Sequence, residues 1–357
     1  MKMVIMTNKV LILLTLVIAK ISFSQDSLSQ RKVKVMPVPA IGFSPETKFY
    51  LGAVALFTLD FYQNNTTRKS NAKIEFNYTW RKQVIAECDW NYFLKDEKWF
   101  TNGIVHYSLY PDYYFGIGSN TQESDQITFE SKRFKSDIGL MKKVKNNWFV
   151  GPNIRYTNYY ALRLTQDSIK YDELSSNQSF GIGFTITNDR RNNLLTPTSG
   201  HLIKLSNQHL VANNYYSQLA IDGRIYRSFG KHENHVFANR IYSTHVFNKA
   251  PFYDLALIGG DKVTRGYFLG RFRDQNLTTF QTEYRTPFLW RISLAAFGGV
   301  SAIYTDIQNL SNNNIKINLG GGLRFLVDKN DRTSLRFDYA VGNNGQTGFY
   351  VSFGESF

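Results

Sequence analysis

The sequence predicts an all-β fold: a transmembrane antiparallel β-barrel of about 16 strands, spanning residues 48–357. Three observations predict it. The chain ends on an alternating stretch in which Phe349, Val351, Phe353 and Phe357 share one parity, broken by Glu355, and Tyr350, Ser352, Gly354 and Ser356 share the other. Aromatic residues make up 15% of the chain, including 22 Tyr and 28 Phe, a load that barrels place in girdles at two membrane interfaces. The N-terminus carries the marks of an exported protein.

Lys2 and Lys9 precede an apolar run from Val10 to Ala19, and Ser22-Phe23-Ser24 offers small residues at the positions a signal peptidase reads. The run is about ten residues, short of the roughly 20 a helix needs to span a bilayer. Residues 1–24 therefore read as a signal peptide. Residues 25–47 form a polar, Pro-containing lead, read as a short periplasmic segment.

From Lys48 onward, period-2 segments alternate with turn signals. Sixteen are counted: 48–61, 71–80, 83–94, 98–108, 112–121, 126–143, 146–163, 178–188, 200–211, 215–229, 233–246, 276–287, 291–304, 315–327, 332–342 and 346–357. In the second, Ile74, Phe76, Tyr78 and Trp80 oppose Lys73, Glu75, Asn77 and Thr79. In the fifteenth, Leu335, Phe337, Tyr339 and Val341 oppose Arg336 and Asp338. The apolar parity suits lipid and the charged parity suits a polar lumen. A soluble sandwich would alternate as well, with its faces reversed; the leader, the aromatic load and the terminal Phe357 favour the membrane version.

If the first strand starts in the periplasm, even-to-odd connections are short and periplasmic, and odd-to-even ones are outer. Arg81-Lys82 and the connection at Trp290 read as periplasmic turns, and Asn344-Gly345 as a tight outer hairpin. The longest connection, 247–275, follows the eleventh strand and reads as extracellular.

Mean hydropathy is −0.32, which alternating strands produce by averaging. The formal charge of +14 is spread among acids along the strands with no dense cluster. It points to a basic lumen or to loops facing anionic lipid, and not to nucleic acid. The single cysteine, Cys88, excludes an intramolecular disulfide and reads as a lipid-facing filler. No nucleophile elbow, phosphate loop or Cys-pair metal site occurs. His232 and His235 flank a turn with no third ligand in view. Neither a cofactor nor a metal is expected, and the chain does not read as an enzyme.

The longest connection contains Ile258-Gly259-Gly260 and then Val263-Thr264-Arg265-Gly266-Tyr267. Here the chain resembles the assembly-factor barrel superfamily that includes BamA, TamA and the two-partner secretion transporters. In that family the sixth extracellular loop carries an Arg-Gly-Phe/Tyr tip and folds back into a sixteen-stranded barrel. Asp189, Arg191 and Asn193, followed by Pro197 and Gly200, resemble the family's periplasmic Asp-x-Arg-x-Asn…Pro-x-x-Gly turn. Ser44-Pro45-Glu46-Thr47 and Phe115-Gly116-Ile117-Gly118 resemble stretches of barrel-only members, and Tyr350, Phe353 and Phe357 resemble the C-terminal insertion signal.

The resemblance implies an inner-wall acid facing Arg265. Glu283, on the inward parity of the twelfth strand with Gln281 and Arg285, is the candidate partner. The family's Phe-x-Asp on the thirteenth strand stands here as Phe297-Gly298-Gly299, without the acid. The client-binding POTRA arm of BamA and TamA is not seen ahead of the first predicted strand.

By resemblance, the expected setting is the outer membrane of a Gram-negative bacterium. The partners expected are its lipids, client outer-membrane proteins and a periplasmic or lipoprotein helper. The expected role is insertion or translocation of protein or lipid at a seam between the first and last strands. The alternative is a passive or loop-gated pore that keeps the fold without assembly activity.

Overall fold

The computed structural model describes residues 33–62, 66–164, 174–231, 234–328 and 333–357. The predicted signal peptide, the start of the lead and His232 lie outside the described residues. Sixteen antiparallel strands form one sheet that curls into a barrel. β1 (Val33–Ser44), β2 (Lys48–Leu59), β3 (Ser70–Thr79), β4 (Val84–Phe93), β5 (Trp99–Tyr114), β6 (Ile127–Lys145), β7 (Trp148–Leu164), β8 (Asn177–Asp189), β9 (Gly200–Val211), β10 (Tyr215–Phe229) and β11 (His235–Phe247) follow one another round the wall. β14 (Asn276–Arg285), β15 (Ile292–Tyr304), β16 (Ile315–Asp328), β17 (Thr333–Gly342) and β18 (Thr347–Phe353) complete it, while β12 (Ala256–Ile258) and β13 (Phe272–Asp274) pair only with each other.

The side-chain period of two sets the two faces. Phe49, Leu51, Ile74, Phe76, Phe180, Ile182 and Phe184 are exposed on the outside. Glu283, Arg324, Arg336 and Asp338 are fully buried inside. Exposed Trp80 sits at one end of the wall and Trp99, Trp148 and Trp290 at the other. This is the banded exterior of a barrel that meets lipid across its middle and interface at both rims.

The strand count of 16 agrees with the sequence reading through two differences that offset each other. The first wall strand is β1, which lies within the stretch read as a lead and pairs with β2 from Val33↔Leu59 to Ser44↔Lys48. Its prolines, Pro37 and Pro39, share one parity, and a proline is tolerated in a sheet where its nitrogen faces an unpaired edge. The segments 98–108 and 112–121 are one strand, β5. Pro111 falls past the last β4 pairing, Val84↔Leu109, so its missing N–H breaks no ladder on that side.

These shifts move the early turns. Ser44–Thr47 is the β1–β2 turn and Arg81-Lys82 the β3–β4 turn. Both lie at the end from which the β11–β14 connection leaves, here the loop end. Arg81-Lys82 is thus on the opposite side from its predicted place. The β8–β9 turn and Trp290 lie at the other end, the turn end.

β1 and β18 lie side by side, but among the described residues no ladder joins them. The seam is held by side chains. Tyr50 of β2 reaches across β1 and donates to the Val351 carbonyl of β18 at 2.9 Å. It passes over Gly42, where any Cβ would overlap its ring. Phe43 and Phe349 face each other with ring centroids 6.0 Å apart. β18 stops at Phe353, so the lower half of β1 has no strand beside it, and Lys34 bonds Asp328 of β16 at 2.6 Å. A cavity of about 160 Å³ opens there, bordered by Lys34, Met36, Thr333 and Phe353. The last strand therefore closes against Val33–Ser44 and not near Lys48.

Tyr50→Phe is expected to leave all sixteen strands in place and to lower stability by about 1 kcal/mol. Amide exchange should quicken at Phe349–Phe353 more than at β9 or β10; uniform quickening would mean that Tyr50 does not hold the seam.

Candidate functional site

The connection from β11 to β14 turns inward and lies against the inner wall. Its base packs on the far side, where Phe252 and Tyr253 join Tyr114, Ile127 and Phe129, and Tyr253 stacks on Tyr159 at 4.4 Å. Along the loop end, Leu269 N–H donates to Glu46 Oε1 at 2.7 Å, Arg271 donates to the Thr121 carbonyl at 2.8 Å, and Gly118 N–H donates to the Arg273 carbonyl at 2.7 Å. Burial raises the Glu46 carboxyl above its ordinary pKa, opposed by hydrogen bonds from Ser44 and the Leu269 N–H.

The tip reaches down to β14–β18. Arg265, 1% exposed, donates through Nη2 to Glu283 Oε2 at 2.6 Å and through Nη1 to Asp338 Oδ2. Its Cζ lies 3.4 Å from the centroid of the Phe297 ring, a cation–π contact in a water-poor setting. Gly266 adopts φ 105°, which favours glycine, and its N–H donates to the Tyr350 hydroxyl at 3.0 Å. The Tyr267 hydroxyl accepts from Asn343 N–H at 2.7 Å and donates to the Ile317 carbonyl at 3.0 Å.

Around Arg265 lies a connected set of four arginines and four carboxylates. Arg285 Nε donates to Glu283 Oε1 at 2.8 Å. Arg324 reaches Glu283 at 3.1 Å, Glu355 at 3.0 Å and Asp338. Arg336 reaches Asp338 at 3.2 Å and Asp261 at 3.0 Å. Charge balances within the set, and this allows eight ionised groups to remain inside a barrel. Gly320 and Gly322 of β16 make room for it: a Cβ at 320 would overlap the Phe297 ring, and one at 322 would overlap Asp338.

The second acid facing Arg265 is therefore Asp338 of β17, two strands beyond the Phe-Gly-Gly of β15. Phe297 keeps its ring on the guanidinium although Gly299 carries no acid. Sequence reasoning placed Asp338 and Arg336 on the charged parity without a role. Arg324 and Glu355 went unassigned, and the one visible signal was that Glu355 interrupts the terminal alternation.

Phe357 differs most from its expected place. It does not cap an outer girdle. Gly354, with φ 74°, turns the chain inward, and Phe357, 3% exposed, packs on Tyr226 and Ala238 of the inner wall. Its carbonyl accepts from Arg285 Nη2 at 3.2 Å, and the Ser356 hydroxyl donates to the Asp261 carbonyl at 2.7 Å. Phe353, the last residue of β18, stays in the wall at the edge of the seam cavity.

The β8–β9 turn meets this tail. Asp189 holds Arg191 through two bonds, Nε at 3.0 Å and Nη2 at 2.8 Å. Asn193 Oδ1 accepts from Leu195 and Thr196 N–H at 2.8 and 2.9 Å. The Pro197 carbonyl accepts from Arg285 Nη1 at 3.0 Å, and the Leu195 carbonyl accepts from Glu355 N–H at 3.0 Å. At Gly200, φ 95°, a Cβ would overlap the Arg190 carbonyl. Arg285 thus touches wall, turn and C-terminus at once. His235 bonds the Tyr284 hydroxyl at 2.7 Å, and no metal-ligating cluster occurs among the described residues.

The sequence matches the Omp85 superfamily domain over residues 56–357. The chain belongs to the Omp85 superfamily. Its fold is similar to that of BamA from Haemophilus ducreyi lacking POTRA domains 1–3, at 13% identity and TM-score 0.59, covering 91% of this chain and 70% of that one. It is also similar to CdiB from Acinetobacter baumannii, at 11% identity and TM-score 0.62, covering 90% and 60%. CdiB from Escherichia coli gives 11% identity and TM-score 0.56, covering 91% and 63%. The chain thus spans less than two thirds of the CdiB chains. No curated protein matches the sequence.

Asp338→Ala is expected to cost about 3–5 kcal/mol, because three arginines then lose a buried partner. Urea unfolding followed by heat-modifiable electrophoretic mobility checks this. A loss under about 1 kcal/mol would show the set to be solvated and unimportant to stability.

Proposed function

We propose that this Omp85 barrel acts in the outer membrane of a Gram-negative bacterium, aiding insertion or translocation of client protein or lipid at the β1–β18 seam. One observation carries the reading: among the described residues fifteen neighbouring strand pairs of the wall are joined by ladders, and β1 and β18 are not. In lipid an unpaired backbone group costs several kcal/mol. An edge left open there is a standing demand for a partner strand, and a client strand can meet it by edge pairing.

The closing contacts are few and of the kind that can part. They are one tyrosine hydroxyl, one aromatic pair and one ion pair at the lower end. The interior set anchored on Glu283 and Asp338 keeps β14–β18 rigid on one side of the seam. β1, with two prolines, is the yielding side. BamA and CdiB, the structural relatives, support the reading at the level of the fold. A periplasmic or lipoprotein helper and a client outer-membrane protein are the partners this role needs.

The test is a seam lock in a Cys88→Ala background, with Phe43→Cys and Phe349→Cys joined by a short bifunctional thiol reagent. The locked protein should fail to restore outer-membrane protein and surface-lipid levels in depleted cells, and reduction of a cleavable linker should restore them. Full complementation by the locked form would remove the seam from the function. A pore makes a different prediction: Arg265→Ala would raise single-channel conductance in planar bilayers while the locked barrel still complements.

A further inference from the structure

A second interior feature lies away from the Arg265 set. Between the far wall and the inserted connection is a cavity of about 340 Å³, within the range of small-molecule sites. Lys135 of β6, Arg155 of β7 and Lys204 of β9 face it from the wall. Leu257, Val263 and Leu269 face it from the connection. Leu269 is 44% exposed although it lies inside a barrel.

The acids bordering this cavity are already engaged. Asp137 accepts from Gln208 at 3.1 Å and lies 3.4 Å from Arg155 Nε. Asp222 is held by both Arg224 and Arg240, with bonds of 2.6–3.0 Å. Asp254 accepts the hydroxyls of Ser179 at 3.0 Å and Tyr216 at 2.6 Å. The Lys135 and Lys204 ammonium groups make no hydrogen bond or ion pair among the described residues, in contrast to Lys73, which bonds Glu75 and Glu87.

Two ammonium groups without a direct ion pair, beside a guanidinium, are suited to a phosphate anion, and the aliphatic side opposite them is suited to an apolar body. We propose that this chamber binds a phosphate-bearing anion, held by Lys135 and Lys204 and steadied by Arg155. The phosphate can come from a lipid head group or from a soluble phosphate ester, and the two sources differ in whether the apolar side is used.

The test is isothermal titration of the full protein in neutral detergent. Four probes are compared: inorganic phosphate, glycerol 3-phosphate, dihexanoyl phosphatidylglycerol below its micelle concentration, and dihexanoyl phosphatidylcholine as a zwitterionic control. Saturable binding of phosphatidylglycerol, tighter than that of glycerol 3-phosphate, supports the site with a lipid source. Binding of the soluble phosphates with none of the lipid supports it with a soluble source. In either case Lys135→Ala with Lys204→Ala should weaken binding by about tenfold or more. The thermal midpoint without ligand should change little, since neither lysine has a hydrogen bond or direct ion pair to lose among the described residues. Absence of saturable binding, equal binding of the zwitterionic control, or undiminished binding by the double variant overturns the proposal.

Discussion

The interior of this barrel is organised by the buried contact of Arg265 with Glu283 and Asp338. Two carboxylates on strands three apart in the wall cannot stand beside each other in low dielectric without a cation between them. The planar guanidinium supplies it, and the chain must fold back through the lumen to bring it there. Once it is in place, Arg324, Arg285 and Arg336 extend the same pairing to Glu355 and Asp261. The inserted connection, the C-terminal tail and the β8–β9 turn are then held by one charge-balanced set.

That set lies on one side of the seam, and this gives the barrel an asymmetry. β14–β18 are braced from inside by ion pairs. β1 is braced by its ladder with β2 and by Tyr50. Pro37 and Pro39 remove two donors from β1, and β18 ends at Phe353. At the seam, a strand short of donors thus lies beside a short strand. The seam is weak where the wall is thin and firm where Phe43 meets Phe349.

The far side of the lumen follows a different rule. There the acids accept from hydroxyls, amides and arginines, and among the described residues Lys135 and Lys204 make no direct ion pair. Where the Arg265 set is closed on itself, this wall leaves a cavity with basic and acidic groups on one side and an apolar surface on the other.

Period-2 alternation, with the aromatic load and the leader, determined the all-β barrel class and the two faces of most strands, because a strand in a barrel wall cannot hide its parity; the count of 16 agreed only because one missed strand offset one split strand. The alternation also put Asp338 on the charged parity, while the resemblance to the assembly-factor barrels pointed to Arg265, Glu283 and the Asp189–Gly200 turn. Prolines misled it in both directions, hiding β1 and splitting β5, since the cost of a missing N–H depends on which edge it faces and pairing is not a local property. Only the tertiary structure decided that Asp338 replaces the absent acid of β15, that Glu355 and Phe357 turn inward, and that β1 and β18 do not zip. Those outcomes rest on distances between residues far apart in the chain, and on whether a terminal aromatic gains more from lipid or from Tyr226, Ala238 and the Arg285 guanidinium.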